Sequence, residues 1–399
     1  MGRAKPGPSA LLAAAPGGHV LGVLSSVLDV FRLRQYFDVL AHGREVAAGI
    51  GEDLGFLTDA RRALFRLPGE GDGRPARSPF PPVEPLPLPG LEGRRVALMA
   101  TGGSGALATV VGAARALEEA GSRLAVISLC SGSALFGFPL AAGLPADEVA
   151  AFCLALRPDD YIDVDWATVA RLGPTGGRGF AGIIKGERIE ASYRKLLGDM
   201  RLEDLPVPAY APIWNIEENR TEYLGPRTFP EVTVARAVRM AVSLPLFIEP
   251  VELAGSHWCD GGIVDIFPVR PVLDLEPTPE VAVAVNGFYP PGFAGEDATG
   301  WEERRASILY VASQVRTSQQ VELARTNLAR LGRRVEVVAI EPVPYSKVRG
   351  VGFYRQFLST RDWGAFMLAG RAEARRALRA RYGPGGHFGP VPARNGALS

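Results

Sequence analysis

The stretch VISLCSGSALFGFPL, residues 126–140, predicts a buried strand that turns abruptly into a helix. We expect the strand over Leu124–Ser128 and the helix over Ser131–Ala142, which places Ser131 at the corner. A serine at such a corner exposes its hydroxyl beside the unpaired N–H groups of the first helical turn. These groups and the helix dipole favour the negative charge that acyl transfer develops on a substrate oxygen. Because the Gly-x-Ser-x-Gly pattern is only loosely met here, the interpretation depends on two further segments.

A glycine-rich turn, Thr101-Gly102-Gly103-Ser104-Gly105, lies upstream of this corner. It follows an apolar run, Val96–Ala100, that suits a parallel strand covered on both faces, and it opens a predicted helix over Gly105–Ala120. Such a turn presents N–H groups to an anion, either a phosphate or an oxyanion. The phosphate alternative is a dinucleotide site, because residues 103–108 fit a loose Gly-x-Gly-x-x-Ala pattern. A dinucleotide site requires an acidic residue at the end of the next strand. The chain has Ser128-Leu129-Cys130 there, without an acidic residue.

A candidate base, Asp260, follows a short strand-like run and precedes two glycines. A carboxylate on such a turn can take the proton of a serine if it lies within hydrogen-bond reach. His257 is the rival, because a Ser–His–Asp arrangement is the commoner hydrolase solution. Its offset of three residues from Asp260 places the two on opposite faces of one strand. We therefore prefer a Ser–Asp dyad.

In this order and spacing, the segments resemble the patatin-like phospholipase family, lipid acyl hydrolases that use a Ser–Asp dyad. The resemblance runs from about Arg94 to at least Asn286. The glycine-rich turn is similar to the family's oxyanion-hole loop, residues 127–135 to its serine elbow, and Asp260-Gly261-Gly262 with Pro268 to its Asp-Gly-Gly turn. Two further segments match, a helix entry over Ile183–Leu197 and a Pro-containing stretch over Arg236–Val251.

The resemblance implies an α/β fold of three layers, with a mainly parallel sheet, helices on both faces, and helical N-terminal and C-terminal extensions. Alternating strands and helices along the chain favour the same architecture. Ser131 is then the nucleophile, in preference to Ser133, which would lie inside the helix, and Asp260 is the base. The oxyanion hole is expected from the N–H groups of Gly102, Gly103, Ser104 and Gly132. Neither a metal nor a cofactor is expected.

Several positions depart from the family pattern. They are Ser104, Ala106 and Leu107 in the turn, Leu129 and Ser133 in the elbow, and Ile266 after the Asp-Gly-Gly turn. Ala106 stands where the family usually has a basic residue, which leaves substrate preference open. The Leu-x-Ser-Gly-Ser form also resembles the related cytosolic phospholipases. Backbone donors survive side-chain changes of this kind, so activity is still expected.

The expected reaction is hydrolysis of a carboxylic ester of a lipid through an acyl-enzyme. An apolar groove for the acyl chain is expected from Phe136, Leu244, Leu246 and Phe247, since Pro245 and Pro250 hold that segment beside the elbow. An acyltransferase that uses the same dyad and a catalytically weak acyl-binding protein are the alternatives. A dinucleotide-binding protein is less favoured.

The composition of the chain argues against several classes of function. The chain has 399 residues, 47% of them hydrophobic and 22% charged, which is typical of a globular protein. A formal net charge of +1 argues against a nucleic-acid partner. Three cysteines without paired spacing indicate neither a zinc site nor a disulfide framework, which fits a reducing compartment. We expect a cytoplasmic protein, with peripheral contact at a membrane as an alternative.

Composition shifts divide the chain into four parts. Residues 1–18 resemble a disordered tail, and residues 19–92 a helical extension that ends in a Pro-rich linker. Residues 93–300 form the expected catalytic domain, and residues 301–399 a helical part packed on it. Within this last part, residues 333–340 suggest a late strand, and Ala365–Tyr382 predicts a strongly basic helix whose charges face solvent.

Overall fold

The computed structural model describes residues 76–167, 181–245, 247–289, 292, 308–348 and 351–385. The expected tail of residues 1–18 and the extension up to residue 75 lie outside the described residues. No helix among the described residues is both long and apolar enough to cross a lipid bilayer.

A central sheet of eight strands organises the described chain. The strands are β1 Val96–Ala100, β2 Leu124–Ser128, β3 Ala209–Asn215, β4 Arg220–Leu224, β5 Val251–Leu253, β6 Ser256–Asp260, β7 Val281–Val285 and β8 Glu336–Ile340. Their order is β5-β6-β3-β2-β1-β7-β8, and β4 also pairs with β3. The pairings β8–β7, β7–β1, β1–β2 and β2–β3 are parallel, whereas β4, β5 and β6 join antiparallel.

Every residue of β1 and β7 is buried, as expected for parallel strands covered on both faces. The covering helices are α1 Thr109–Glu119, α2 Ala134–Ala141, α3 Ala146–Ala155, α4 Pro158–Tyr161, α5 Glu187–Leu197, α6 Val234–Val242, α7 Arg270–Leu273, α8 Ile308–Gly332, α9 Tyr345–Val348, α10 Val351–Leu358 and α11 Trp363–Tyr382. Short 3₁₀ turns occupy Gly105–Ala108, Ser131–Ser133, Leu202–Asp204 and Gly261–Ile263. The predicted fold, a mainly parallel sheet with helices on both sides, is confirmed.

The C-terminal helix α11 packs closely along α1. Two glycines face each other across this contact. A Cβ on Gly112 would overlap the backbone carbonyl of Met367, and a Cβ on Gly370 would overlap that of Thr109. The two backbones therefore approach more closely than any side chain would allow.

The basic helix α11 does not present all its cations to solvent. Arg371 and Arg375 bind the carboxylate of Glu119, which is fully buried in α1, with Arg371 Nε at 2.9 Å. Arg115, also in α1, approaches the same carboxylate at 3.2 Å. The expectation that the charges of this helix form a solvated face is therefore wrong for these two arginines, because they neutralise a buried anion on its neighbour.

Candidate active site

Ser131 occupies the corner between β2 and the 3₁₀ turn that leads into α2. Its φ is +52°, in the left-handed region that non-glycine residues rarely adopt, while the preceding Cys130 is extended at φ −145°. Holding serine there costs of order 1–3 kcal/mol, and such strain clusters at functional sites. A strained residue at a sharp strand-to-helix corner is a geometry similar to that of a nucleophile elbow.

Ser133, the other serine of this segment, has a structural role. Its side chain is fully buried, and its Oγ donates to the carbonyl of Cys130 and accepts from the N–H of Cys130, both at 2.8 Å. These two bonds close the first turn of the helix. The hydroxyl of Ser133 is therefore engaged within its own turn.

The glycine-rich turn lies directly against the elbow. A Cβ on Gly132 would overlap the carbonyl oxygen of Gly103, so only glycine fits at position 132. Strands β1 and β2 are adjacent and parallel, so their carboxyl ends meet at the same edge of the sheet. This pairing explains how segments about thirty residues apart in the sequence come together.

The N–H groups of the turn divide into engaged and unengaged donors. That of Gly102 donates to the carbonyl of Ile266 at 3.3 Å, and that of Ala106 donates to Oε1 of Gln356 at 3.1 Å. Those of Gly103, Ser104 and Gly132 donate to no other described residue. Of the four expected oxyanion donors, Gly102 is thus already paired, because the chain after Asp260 returns across the turn.

Asp260 is the last residue of β6 and is completely buried. Its Oδ1 accepts a hydrogen bond from the N–H of Gly262 at 2.8 Å, and its Oδ2 is buried with no hydrogen-bond partner among the described residues. Burial raises the pKa of this carboxyl to about 7, against smaller lowering effects from the Ser131 hydroxyl and the Gly262 N–H. The two side chains are neighbours, because a Cβ on Gly262 would lie 3.0 Å from Oδ1 of Asp260 and 3.6 Å from Cβ of Ser131.

His257 lies on the opposite face of β6, as its offset from Asp260 predicts. It is about half exposed, and its Nδ1 is 2.6 Å from Oε1 of Glu217. The same glutamate accepts a hydrogen bond from the His257 N–H at 2.9 Å. The structure thus brings Ser131 together with Asp260 and leaves His257 outside.

An apolar cavity of about 150 Å³ opens over Ser131 and Asp260. Leu244 and Phe247 line it, as expected, whereas Leu246 lies outside the described residues. Phe136 does not line the cavity. It is fully buried and packs edge-on against Trp363, with ring centroids 5.1 Å apart, while its neighbour Leu135 faces the cavity. The prediction that Phe136 lines the groove is therefore wrong. Successive side chains of a helix point about 100° apart, so Leu135 and Phe136 face different surroundings.

The C-terminal part supplies residues of the cavity that the sequence did not indicate. Gln320 of α8, Gln356 and Phe357 of α10 and Trp363 of α11 all line it. They follow the elbow by about two hundred residues and belong to no motif. The sequence therefore predicts only that they lie in helices, not that they line this cavity.

Cys130 packs beside Ser131 and Gly262. It is fully buried, and burial, followed by the nearby Asp260 and Asp265 charges, raises the pKa of its thiol well above the usual range. A neutral thiol is a poor nucleophile. Cys130 therefore serves as a small packing residue at the elbow.

The chain is similar to a known protein family and to several individual proteins. Residues 99–273 match the family model for patatin-like phospholipases. Uncharacterized NTE family proteins of Mycobacterium tuberculosis and Mycobacterium bovis are 28% identical over 209 residues, which is 52% of this chain and 54% of each relative. An uncharacterized protein of Bacillus subtilis, YqhO, is 27% identical over 199 residues, 43% of this chain and 67% of its own. The chain thus spans about half the length of its mycobacterial relatives.

Solved structures that match the chain include VipD from Legionella pneumophila, with a TM-score of 0.39, 14% identity and coverage of 72% of this chain and 67% of that one. Human GIVD cytosolic phospholipase A2 has a TM-score of 0.32 and 10% identity, with 82% of this chain and 67% of that one covered.

Proposed function

Because residues 99–273 form a domain of the patatin-like phospholipase family, we propose that the protein is a serine acyl hydrolase that cleaves a carboxylic ester of a lipid. Ser131 is the nucleophile and Asp260 the base in this proposal. The N–H groups of Gly103, Ser104 and Gly132 stabilise the oxyanion.

One observation carries the proposal: the carboxylate of Asp260 is completely buried, its Oδ2 has no hydrogen-bond partner in the part of the chain that the structure describes, and it lies beside a strained serine. Burying an unpaired carboxylate is costly for folding, so its retention needs a compensating role. A base whose pKa lies near the working pH takes and returns protons efficiently. The pKa of Asp260, about 7, meets that condition.

The reaction follows from these positions. Asp260 accepts the proton of Ser131 as Oγ attacks the ester carbonyl, and the carbonyl oxygen becomes negative. The three unengaged N–H groups stabilise that charge. The intermediate collapses to an acyl-serine, and the departing alcohol takes the proton from Asp260. Water then attacks the acyl-serine, gives its proton to Asp260, and releases the acid, while the proton returns to Ser131.

The cavity supports a lipid as the acyl donor. Leu135, Leu244 and Phe247 are among its apolar lining residues. Burying a methylene contributes about 0.8 kcal/mol, so an acyl chain is the natural occupant of such a cavity. Cleavage of a phospholipid in the manner of a phospholipase A is the finer form of the proposal.

The alternatives lack an equally direct observation. A dinucleotide would place its pyrophosphate beside the Asp260 carboxylate, where like charges repel above neutral pH. An acyl-binding protein without activity would gain nothing from a strained serine and an unpaired buried carboxylate. Transfer of the acyl group to an alcohol uses the same dyad, and the choice of acceptor distinguishes it.

A hydrolysis assay with purified full-length protein tests the proposal. The substrates are p-nitrophenyl esters and phosphatidylcholine vesicles, each with and without a primary alcohol as acceptor. We expect release of free acid that disappears in Ser131→Ala and persists in His257→Ala. Ester cleavage that is equal in Ser131→Ala would contradict the proposal, and acyl products formed mainly on the alcohol would favour a transferase.

A further inference from the structure

Gln356 of α10 contacts the glycine-rich turn from the far end of the chain. Its side-chain Oε1 accepts a hydrogen bond from the N–H of Ala106 at 3.1 Å and from the hydroxyl of Ser104 at 3.3 Å. Gln356 is 3% exposed and lines the cavity over the dyad. No motif links it to the turn, which precedes it by 250 residues.

The amide of Gln356 is held in one orientation. Its Nε2 donates to the carbonyl of Lys347 at 2.8 Å, so the oxygen must face the turn. Its backbone carbonyl accepts a hydrogen bond from Nε1 of Trp363 at 3.2 Å, which fixes the base of the side chain. A rigid acceptor is therefore aimed at the turn, with no freedom to swing away.

This contact decides which donors of the turn remain available. Oε1 pairs the N–H of Ala106, and the N–H of Leu107 donates to the carbonyl of Ser104 at 3.0 Å. With the turn anchored at its C-terminal end by Gln356 and at Gly102 by Ile266, the N–H groups of Gly103 and Ser104 stay unengaged beside Ser131. Ser104, where the family has glycine, supplies a second contact to the same oxygen.

We propose that Gln356 is a positioning residue for the oxyanion turn, which it holds through Ala106 and Ser104. This inference rests on the proposed function, because it assumes that the turn stabilises an oxyanion. If a donor N–H moves away from the oxyanion, the enzyme stabilises the transition state less, while its binding of the ground-state substrate changes little.

Gln356→Met tests this, since it keeps the length of the side chain and removes the acceptor. We expect kcat to fall about 10-fold or more with KM little changed. Binding of an alkyl boronate, which mimics the tetrahedral intermediate, should weaken by the same factor. Binding of the fatty-acid product should not change. Gln356→Glu, which retains oxygen acceptors, should recover part of kcat.

Two results would overturn the inference. One is a Gln356→Met variant with the kcat and boronate affinity of the wild type. The other is equal weakening of boronate and product binding, which indicates only a distorted cavity. If Gln356→Met does not fold, Ser104→Ala removes one of the two contacts and should lower kcat by a smaller factor, again without a change in KM. An unchanged kcat in Ser104→Ala would then count against the inference. A wild type whose ester cleavage does not depend on Ser131 would refute the proposed function instead.

Discussion

At the scale of single residues, the burial of Asp260 has consequences for both activity and stability. Desolvation raises the pKa of this carboxyl from 3.8 to about 7, so the group changes charge within the ordinary working range. The ionised form is the base that the proposed reaction needs. The neutral form is the one that the folded protein prefers to bury.

Activity should therefore depend on pH through Asp260. We expect kcat/KM for a neutral p-nitrophenyl ester to rise with pH along a single limb whose midpoint is near pH 7, because only ionised Asp260 can accept the serine proton. The measurement is a kcat/KM profile from pH 5 to 9 in one mixed buffer. A profile that is flat across this range would mean that another group is the base.

Replacing Asp260 by asparagine should separate activity from stability. Turnover should fall by roughly 10²–10⁴-fold, the usual range for a removed general base. Because the folded state holds the proton more tightly than the unfolded state, the stability that protonation gives is present below about pH 4 and is lost as pH rises through about 7. The variant avoids that loss and should be more stable than the wild type at pH 8, by at most about 4 kcal/mol.

Urea unfolding of both proteins at pH 5 and pH 8 measures this difference. His257→Ala is the matched control on the same strand and should retain most activity. If His257→Ala is as inactive as Asp260→Asn, a triad replaces the dyad.

The sequence predicts the turns that hold Ser131 and Asp260 better than it predicts the contacts around them. Ser131 and Asp260 stand at the ends of apolar runs, where a local pattern identifies a turn and its chemistry. The pairing of the Gly102 N–H with Ile266, and of the Ala106 N–H with Gln356, depends on the path of distant segments. No local rule could have indicated either contact.

At the scale of helices and strands, the crossing of α1 and α11 depends on two glycines. Alanine at an interior helix position is normally more favourable than glycine by about 1 kcal/mol. At Gly112 and Gly370 the added Cβ would meet the backbone of the other helix, so the helices must separate. Overpacking of this kind costs typically about 1–3 kcal/mol.

Gly112→Ala and Gly370→Ala should therefore each lower the free energy of unfolding, against the trend of helix propensity. Gly332→Ala, at the end of α8, is the control, because a Cβ there meets nothing within 4 Å. Thermal unfolding of the three variants gives the comparison. Variants at the crossing that match or exceed the stability of Gly332→Ala would show that the two helices do not approach so closely.

Strands in apolar runs were predicted closely, since β1 and β2 have the expected bounds. The helix expected from Gly105 begins instead with a 3₁₀ turn over Gly105–Ala108, because that glycine-rich segment turns tightly before the α-helix starts. Short elements such as α4 and α7 were missed, since four residues give no readable period. The buried partner of the basic helix was missed because Glu119 lies about 250 residues away in sequence.

At the scale of the whole molecule, the C-terminal part completes both the sheet and the cavity. Strand β8 pairs in parallel with β7, and α11 packs along α1. Gln356, Phe357 and Trp363 line the cavity. Although the composition changes near residue 300, strands from both sides of that position belong to one sheet.

The apolar cavity predicts selectivity for acyl chains. Each buried methylene contributes about 0.8 kcal/mol, or roughly fourfold in kcat/KM. A cavity of about 150 Å³ is similar in size to those that hold benzene. We expect kcat/KM to rise steeply from acetyl to about hexanoyl esters and more gradually beyond, where the chain reaches the open mouth.

Steady-state kinetics on p-nitrophenyl esters from acetyl to palmitoyl measures this dependence. Leu135→Phe, which reduces the cavity without touching the dyad, should shift the preference toward shorter chains. A steady decline from acetyl onward in the wild type would favour a small ester as the substrate.

The central claim is that Ser131 carries the acyl group with Asp260 as its base, and covalent labelling with a fluorophosphonate tests it most directly. We expect one probe per chain by intact mass, located on Ser131 by peptide mapping, absent in Ser131→Ala and slowed in Asp260→Asn. Labelling should persist in Ser133→Ala, even if that variant is less stable. A probe that still labels Ser131→Ala but no longer labels Ser133→Ala would contradict the account.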